Sequence, residues 1–190
     1  MSTKKAIIFG DSLLSYINQE DRHYKIVSER GLNTVRFIRE LSRGKHDDLI
    51  ENHENFLICL GTNNLRDYSA QQTVNDLSQI RALILSKKRQ ANVILSTLIP
   101  RSDRYKDKAK LTSNLLNTTA KPQGWTICQL HKTFLRKPKK PKQIPGEPPK
   151  SPKPEKNFLY IDGYHLSDDG NERVKAFLIN YVERVFVKNK

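Results

Sequence analysis

The chain has 190 residues, 36% of them hydrophobic, and a formal net charge of +14 at pH 7. That length suits one domain, residues 1–190, with a sizeable core, and no apolar run approaches the length of a membrane span. The charge favours contact with polyanions, such as RNA, DNA or an anionic membrane surface, and carries no information about fold.

Lys4 and Lys5 precede the apolar run Ala6 to Gly10. The run is too short for a signal-peptide core and reads as a buried strand ended by Gly-Asp. A helix is predicted to start at Ser12, with Leu13, Leu14 and Ile17 on its inner side. Tyr24 to Val27 is a weaker strand. Thr34 to Ser42 is a short amphipathic helix, with Val35, Ile38 and Leu41 spaced to face a core. Asn55 to Leu60 is a strand. Ala70 to Lys88 is the strongest helix: Val74, Leu77, Ile80, Ala82, Ile84 and Leu85 form its stripe, and its basic end suits the helix dipole. Asn92 to Thr97 is a strand, Asp103 to Thr119 a helix, and Thr126 to Leu130 a further strand that Trp125 opens as a core residue. Asp168 to Val187 closes the chain as a helix, with Val174, Phe177, Leu178, Tyr181, Val182 and Val185 inward. Strands alternating with helices imply a mostly parallel sheet covered on both faces, and right-handed crossovers place the strand ends on one edge.

Residues 136–156 break this pattern with eight basic residues, two acidic ones and seven of the nine prolines. Proline removes donors and fixes φ, so the expectation is an extended, flexible Lys/Pro-rich insertion. Lys137, Lys139, Lys140 and Lys142 are its candidate nucleic-acid contacts. Such binding would be electrostatic and salt-dependent, without base stacking, because the segment has no aromatic residue. A solvated loop is the plain alternative. Cys59 and Cys128 lie in apolar runs and read as buried free thiols of a reducing compartment, cytoplasmic or nuclear. His23, His46, His53 and His131 lack metal-ligand spacing and read as surface or helix-end residues. No metal or cofactor is expected.

Four motifs fall after candidate strands: Gly10-Asp11-Ser12, Arg30-Gly31-Leu32-Asn33, Gly61-Thr62-Asn63-Asn64 and Asp162-Gly163-Tyr164-His165. Open α/β proteins place their sites at that carboxyl edge. Ser12 is the candidate nucleophile, or else a helix N-cap. His165 is the candidate base that takes the serine proton, and Asp162 can hold its other ring nitrogen. The same segment could be a surface turn before a cap at Ser167. Asn63 could aim an amide, and Gly31 a backbone N–H, at an oxyanion; either is also an ordinary turn residue. No Gly-x-Ser-x-Gly elbow occurs, and no internal repeat is visible.

In this order the motifs resemble those of the SGNH, or GDSL, hydrolases. Phe9-Gly10-Asp11-Ser12 matches that family's first block, Gly31 its second, Gly61-Thr62-Asn63-Asn64 its third, with Asn64 where Asp is more usual, and Asp162-Gly163-Tyr164-His165-Leu166 its last. The resemblance implies a three-layer α/β/α sandwich, flavodoxin-like, with a mostly parallel five-stranded sheet. It implies metal-free cleavage of a carboxylic ester: Ser12 as nucleophile, His165 as base, Asp162 orienting it, and Ser12, Gly31 and Asn63 as the oxyanion hole. The ending and the basic balance look like the esterase domains of some non-LTR retrotransposon proteins. More distantly they are similar to the OSK domain of Oskar, which binds RNA without an active site. The second expectation is therefore an SGNH-like module that binds RNA through its basic surface.

Overall fold

The computed structural model describes residues 6–17, 20–135, 158–159 and 162–187. The 136–156 insertion, including Lys137, Lys139, Lys140 and Lys142, lies outside the described residues. Five parallel strands, β1 (Ala6–Gly10), β2 (Tyr24–Ser28), β3 (Asn55–Cys59), β4 (Asn92–Ser96) and β5 (Ile127–Cys128), lie in the order β2-β1-β3-β4-β5. This is the doubly wound, flavodoxin-like order, in which the chain switches direction across the sheet between β1 and β3 and opens a crevice there.

Alternation along each strand builds the two cores. Ile7, Phe9, Phe56, Ile58, Val93 and Leu95 face a layer made by α1 (Thr34–Ser42), α2 (Asp47–Asn52), α3 (Ala70–Lys87) and α4 (Lys106–Ala120). Ala6, Ile8, Leu57 and Ile94 face α5 (Asp168–Val182) and the 3-10 turn Leu130–Phe134. Both sheet faces are covered, which gives the three layers of an α/β/α sandwich. No helix among the described residues is long and apolar enough to cross a membrane.

Several elements differ from the sequence reading. No α-helix starts at Ser12: Ser12–Leu14 is one 3-10 turn capped by Asp11, whose Oδ1 takes the Leu13 N–H at 3.0 Å, and its backbone bonds run three residues back, from Leu14 N–H to the Asp11 carbonyl and from Ser15 N–H to the Ser12 carbonyl. Leu13, Leu14 and Ile17 are buried as expected. In α1 the buried line is Thr34, Phe37 and Leu41, with Val35 and Ile38 half-buried at its sides. Ala82 is exposed on α3, while the polar Thr73 and Asp76 share its buried face. β5 is an edge strand of two residues, and Trp125 beside it is only half-buried, with the Arg81 guanidinium 4.7 Å from its ring centroid. The closing helix changes at Glu183–Val187 to a π turn, whose wider spacing brings Phe186 into the core. Helix α2 has no counterpart in the sequence reading. His46 is its N-cap, a helix-end residue as read, but it is buried, with its ring against Phe9 and Phe37. Cys59 and Cys128 are free thiols, the first half-buried and the second buried.

Candidate active site

Ser12 stands directly after the carboxyl end of β1, at the switch point. Gly10 makes the turn possible, since a Cβ there would lie 2.5 Å from the Leu14 side chain that folds back over it. The cap of the 3-10 turn is Asp11, not Ser12, so the Ser12 hydroxyl is not used as a helix cap. It is half-buried, and among the described residues no hydrogen bond joins it to His165. The Asp11 carboxyl is buried, which pushes its pKa up to about 6 against the Leu13 N–H and the charges of Arg101 and His165. The fields of His165 and Arg101 thus reach the residue next to Ser12.

Asp162 and His165 form one compact turn. Asp162 Oδ1 accepts the N–H groups of Tyr164 and His165, each at 3.0 Å, and Oδ2 lies 2.7 Å from His165 Nδ1. Burial works against the Asp162 charge, but these backbone bonds and the imidazole hold the carboxyl below the usual carboxylate range. An ionised carboxylate only accepts, so Nδ1 carries the hydrogen, and in the neutral ring Nε2 is left as the basic nitrogen. Ser167 is the N-cap of α5, taking the Gly170 N–H at 3.2 Å. The cap and the Asp162–His165 pair coexist on neighbouring residues.

Gly31 follows β2 with φ +69 and has no atom within 4 Å of where a Cβ would stand. Asn63 follows β3 and donates one amide hydrogen to the Leu32 carbonyl at 3.0 Å, which ties the two loops together. Among the described residues that is the one side-chain hydrogen bond of Asn63. Asn64, next to it, is completely buried. Its Oδ1 accepts the Thr34 N–H at 3.0 Å and its Nδ2 donates to Thr34 Oγ1, whose hydrogen goes to Asp76 Oδ2 at 2.6 Å. The position needs an acceptor and a donor on one side chain, which Asn supplies and an ionised Asp cannot. That requirement explains the amide.

An open cleft of about 550 Å³ is lined by His165, Tyr16, Arg30, Asp168, Asn171 and Glu172. Tyr16 and Arg30 are additions to the sequence reading. Arg30 donates to the Tyr16 hydroxyl at 2.6 Å, and Tyr16 is 63% exposed. An apolar-bodied residue left outside the core, one turn past the candidate nucleophile, is the signal that would have marked it. Among the described residues no group of three or more His, Cys, Asp or Glu is placed to hold a metal ion.

No protein-family model and no curated protein sequence matches the chain. Solved structures do. A GDSL-like lipase from Bacteroides thetaiotaomicron aligns over 95% of this chain and 88% of its own, with a TM-score of 0.73 at 14% identity. A lipolytic protein of the G-D-S-L family from Veillonella parvula aligns over 95% and 99%, with a TM-score of 0.67 at 13% identity. A lipase/acylhydrolase from Enterococcus faecalis aligns over 95% and 96%, with a TM-score of 0.65 at 17% identity. The chain therefore has the α/β fold of GDSL-like lipases and acylhydrolases along nearly its whole length.

Proposed function

We propose that the chain is a serine esterase acting on a carboxylic ester, of an acetyl, short acyl or lipid type. The observation that carries this reading is the Asp162–His165 pair, with Nδ1 2.7 Å from the carboxylate, at the same sheet edge as Ser12, Gly31 and Asn63. In the proposed reaction Ser12 Oγ attacks the ester carbonyl while His165 Nε2 takes the hydroxyl proton. The Ser12 and Gly31 N–H groups and the Asn63 amide stabilise the oxyanion. The intermediate expels the alcohol, which receives the proton from His165, and leaves an acyl-Ser12 ester. Water, deprotonated by His165, then releases the acid and restores the hydroxyl.

Hydrolysis of a short-chain activated ester by wild type and Ser12→Ala tests the reading. Turnover that vanishes with the hydroxyl supports it; equal rates in the two folded proteins overturn it.

The net charge of +14, of which the 136–156 segment carries eight basic residues against two acidic ones, favours a second reading. In it the chain binds RNA or DNA through Lys137, Lys139, Lys140, Lys142 and the wider basic surface, or docks on an anionic membrane where a lipid ester is the substrate. A retrotransposon setting, suggested by the closing motif, would combine esterase and nucleic-acid binding, and a cytoplasmic or nuclear location would suit the two free thiols. Deleting residues 136–156 should then weaken single-stranded RNA binding and flatten its salt dependence; unchanged, salt-insensitive binding removes this reading.

A further inference from the structure

The turn that carries His165 is held from outside. The side chains of Asp162 and His165 are 43% and 34% exposed, so the pair is not locked by burial. The loop after β4 grips it instead. Ser102 N–H donates to the Gly163 carbonyl at 2.7 Å. Gly163 has φ +77, and a Cβ there would stand 2.8 Å from Asp103 N, so only glycine lets the two backbones approach this closely.

Beside this contact lies Arg101, with its side chain 8% exposed. Its Nε donates to Asp103 Oδ1 at 2.9 Å and its Nη2 to Oδ2, a two-point pairing that fixes the guanidinium plane. Nη1 reaches the Thr62 carbonyl at 3.5 Å, on the turn that carries Asn63. The guanidinium carbon is 4.5 Å from the Tyr164 ring centroid and 5.2 Å from that of Tyr105. The Tyr164 ring lies in turn against the His165 imidazole, centroids 3.9 Å apart and tilted by 37°. One buried cation thus touches the Asn63 loop and the His165 loop, and its field reaches Asp11 beside Ser12.

We propose that Arg101, oriented by Asp103, is a positioning residue that holds the His165 imidazole in one orientation by clamping Tyr164. The proposal rests on the reading of His165 as the base. A guanidinium suits the role because its flat face covers an aromatic ring while its edge forks onto a carboxylate; a lysine cannot do both. Arg101 meets the substrate at no step.

The test uses the full chain as wild type, Arg101→Met, Arg101→Lys, Tyr164→Leu and Tyr164→Phe. The first readout is independent of turnover: the downfield proton signal of His165 Nδ1–H, protected by its bond to Asp162. It should be present in wild type and Tyr164→Phe, and broadened or lost in Arg101→Met, Arg101→Lys and Tyr164→Leu. The second is ester hydrolysis. Arg101→Met should lower kcat about 10- to 100-fold with KM within about twofold, as for a catalytic group displaced by an ångström. The Arg101→Met/Tyr164→Leu pair should be no worse than its weaker member, because both remove one clamp. A folded Arg101→Met with the Nδ1–H signal intact and kcat within twofold of wild type overturns the proposal, as does a wild type with no protected Nδ1 proton. If Arg101→Met does not fold, Tyr164→Leu against Tyr164→Phe decides on the half-exposed partner. If wild type shows no Ser12-dependent turnover, the esterase reading fails, and the proton signal still decides whether Arg101 holds the ring.

Discussion

Asn64→Asp isolates one hydrogen-bond donor in a site of known geometry. The replacement keeps the shape and the Oδ1 that takes the Thr34 N–H. It turns the Nδ2 donor into a second acceptor, aimed at Thr34 Oγ1, whose hydrogen is committed to Asp76. With all three side chains buried, an unmade bond of this kind costs about 1–3 kcal/mol. For a chain of this size each kcal/mol lowers Tm by about 2–4 °C, so a fall of about 2–12 °C is expected at neutral pH. The deficit should depend on pH. When protonated, the new carboxyl can donate to Thr34 Oγ1 and restore the bond. Burial and the nearby Asp76 raise its pKa in the fold above the unfolded value of about 3.9. The folded state then binds the proton more tightly, so the deficit is smallest below about pH 4 and grows as pH rises through the folded pKa. Thermal unfolding of both proteins, followed by circular dichroism at pH 4.5 and 7.5, measures it. A variant as stable as wild type at pH 7.5, or an equal deficit at both values, would refute the assigned donor and acceptor roles.

Three further outcomes follow from the site. Asp162→Asn puts an amide donor against Nδ1 and favours the wrong tautomer, so kcat on an activated ester should fall by as much as ~10⁴; a rate near wild type would remove Asp162 from its orienting role. Asp11 titrates at about 6 in the fold and at about 3.9 unfolded, so its stabilising contribution is present below about pH 4 and is lost as pH rises through 6, an effect of about 3 kcal/mol. Asp11→Asn keeps an acceptor for Leu13 N–H and abolishes this titration, so urea midpoints at pH 4.5 and 7.5 should differ less than in wild type; parallel pH dependences would contradict the burial argument. Gly163→Ala drives a Cβ to within 2.8 Å of Asp103 N at positive φ and should lower both Tm and kcat, whereas Gly124→Ala, with φ +64 but nothing within 4 Å of its Cβ, should lower Tm alone.

The strands were legible because buried parallel strands read as short runs of Val, Ile, Leu and Phe closed by Gly or Ser. Their boundaries put the motifs of Ser12, Gly31 and Asn63 after β1, β2 and β3, whereas among the described residues the Asp162–His165 turn follows no strand of the sheet, contrary to the sequence reading, and stands instead before α5. Residues fixed by tertiary partners were not legible. Helix α2 buries little besides Ile50, too small a signal to separate from loop. Asp76 was hidden by the apolar stripe of α3, since its buried place is justified only by Thr34 and Gln72 from outside that stripe. Arg101 follows a proline in a basic loop and carries no motif or periodic signal; its burial depends on rings at Tyr105 and Tyr164, the second far along the chain. The helix expected from Ser12 is a single 3-10 turn capped by Asp11, and the three-residue spacing of its backbone bonds leaves no periodic signal to tell it from the start of an α-helix.

The sheet order also leads to an expectation about the order of folding. Ser12, Gly31 and Asn63 all come from the first third of the chain, around β1, β2 and β3, and can assemble through contacts of modest sequence separation. His165 arrives only with α5, whose Val174, Leu178 and Val182 cover the sheet face formed by Ala6, Ile8, Leu57 and Ile94. Loop-closure entropy makes that long-range contact the one expected to form late. On that expectation a nascent or refolding chain would bring Ser12, Gly31 and Asn63 together while His165 is still absent, with one apolar sheet face open to aggregation. Recovery of the protected His165 proton during refolding would time the docking of the last helix, separately from formation of the sheet.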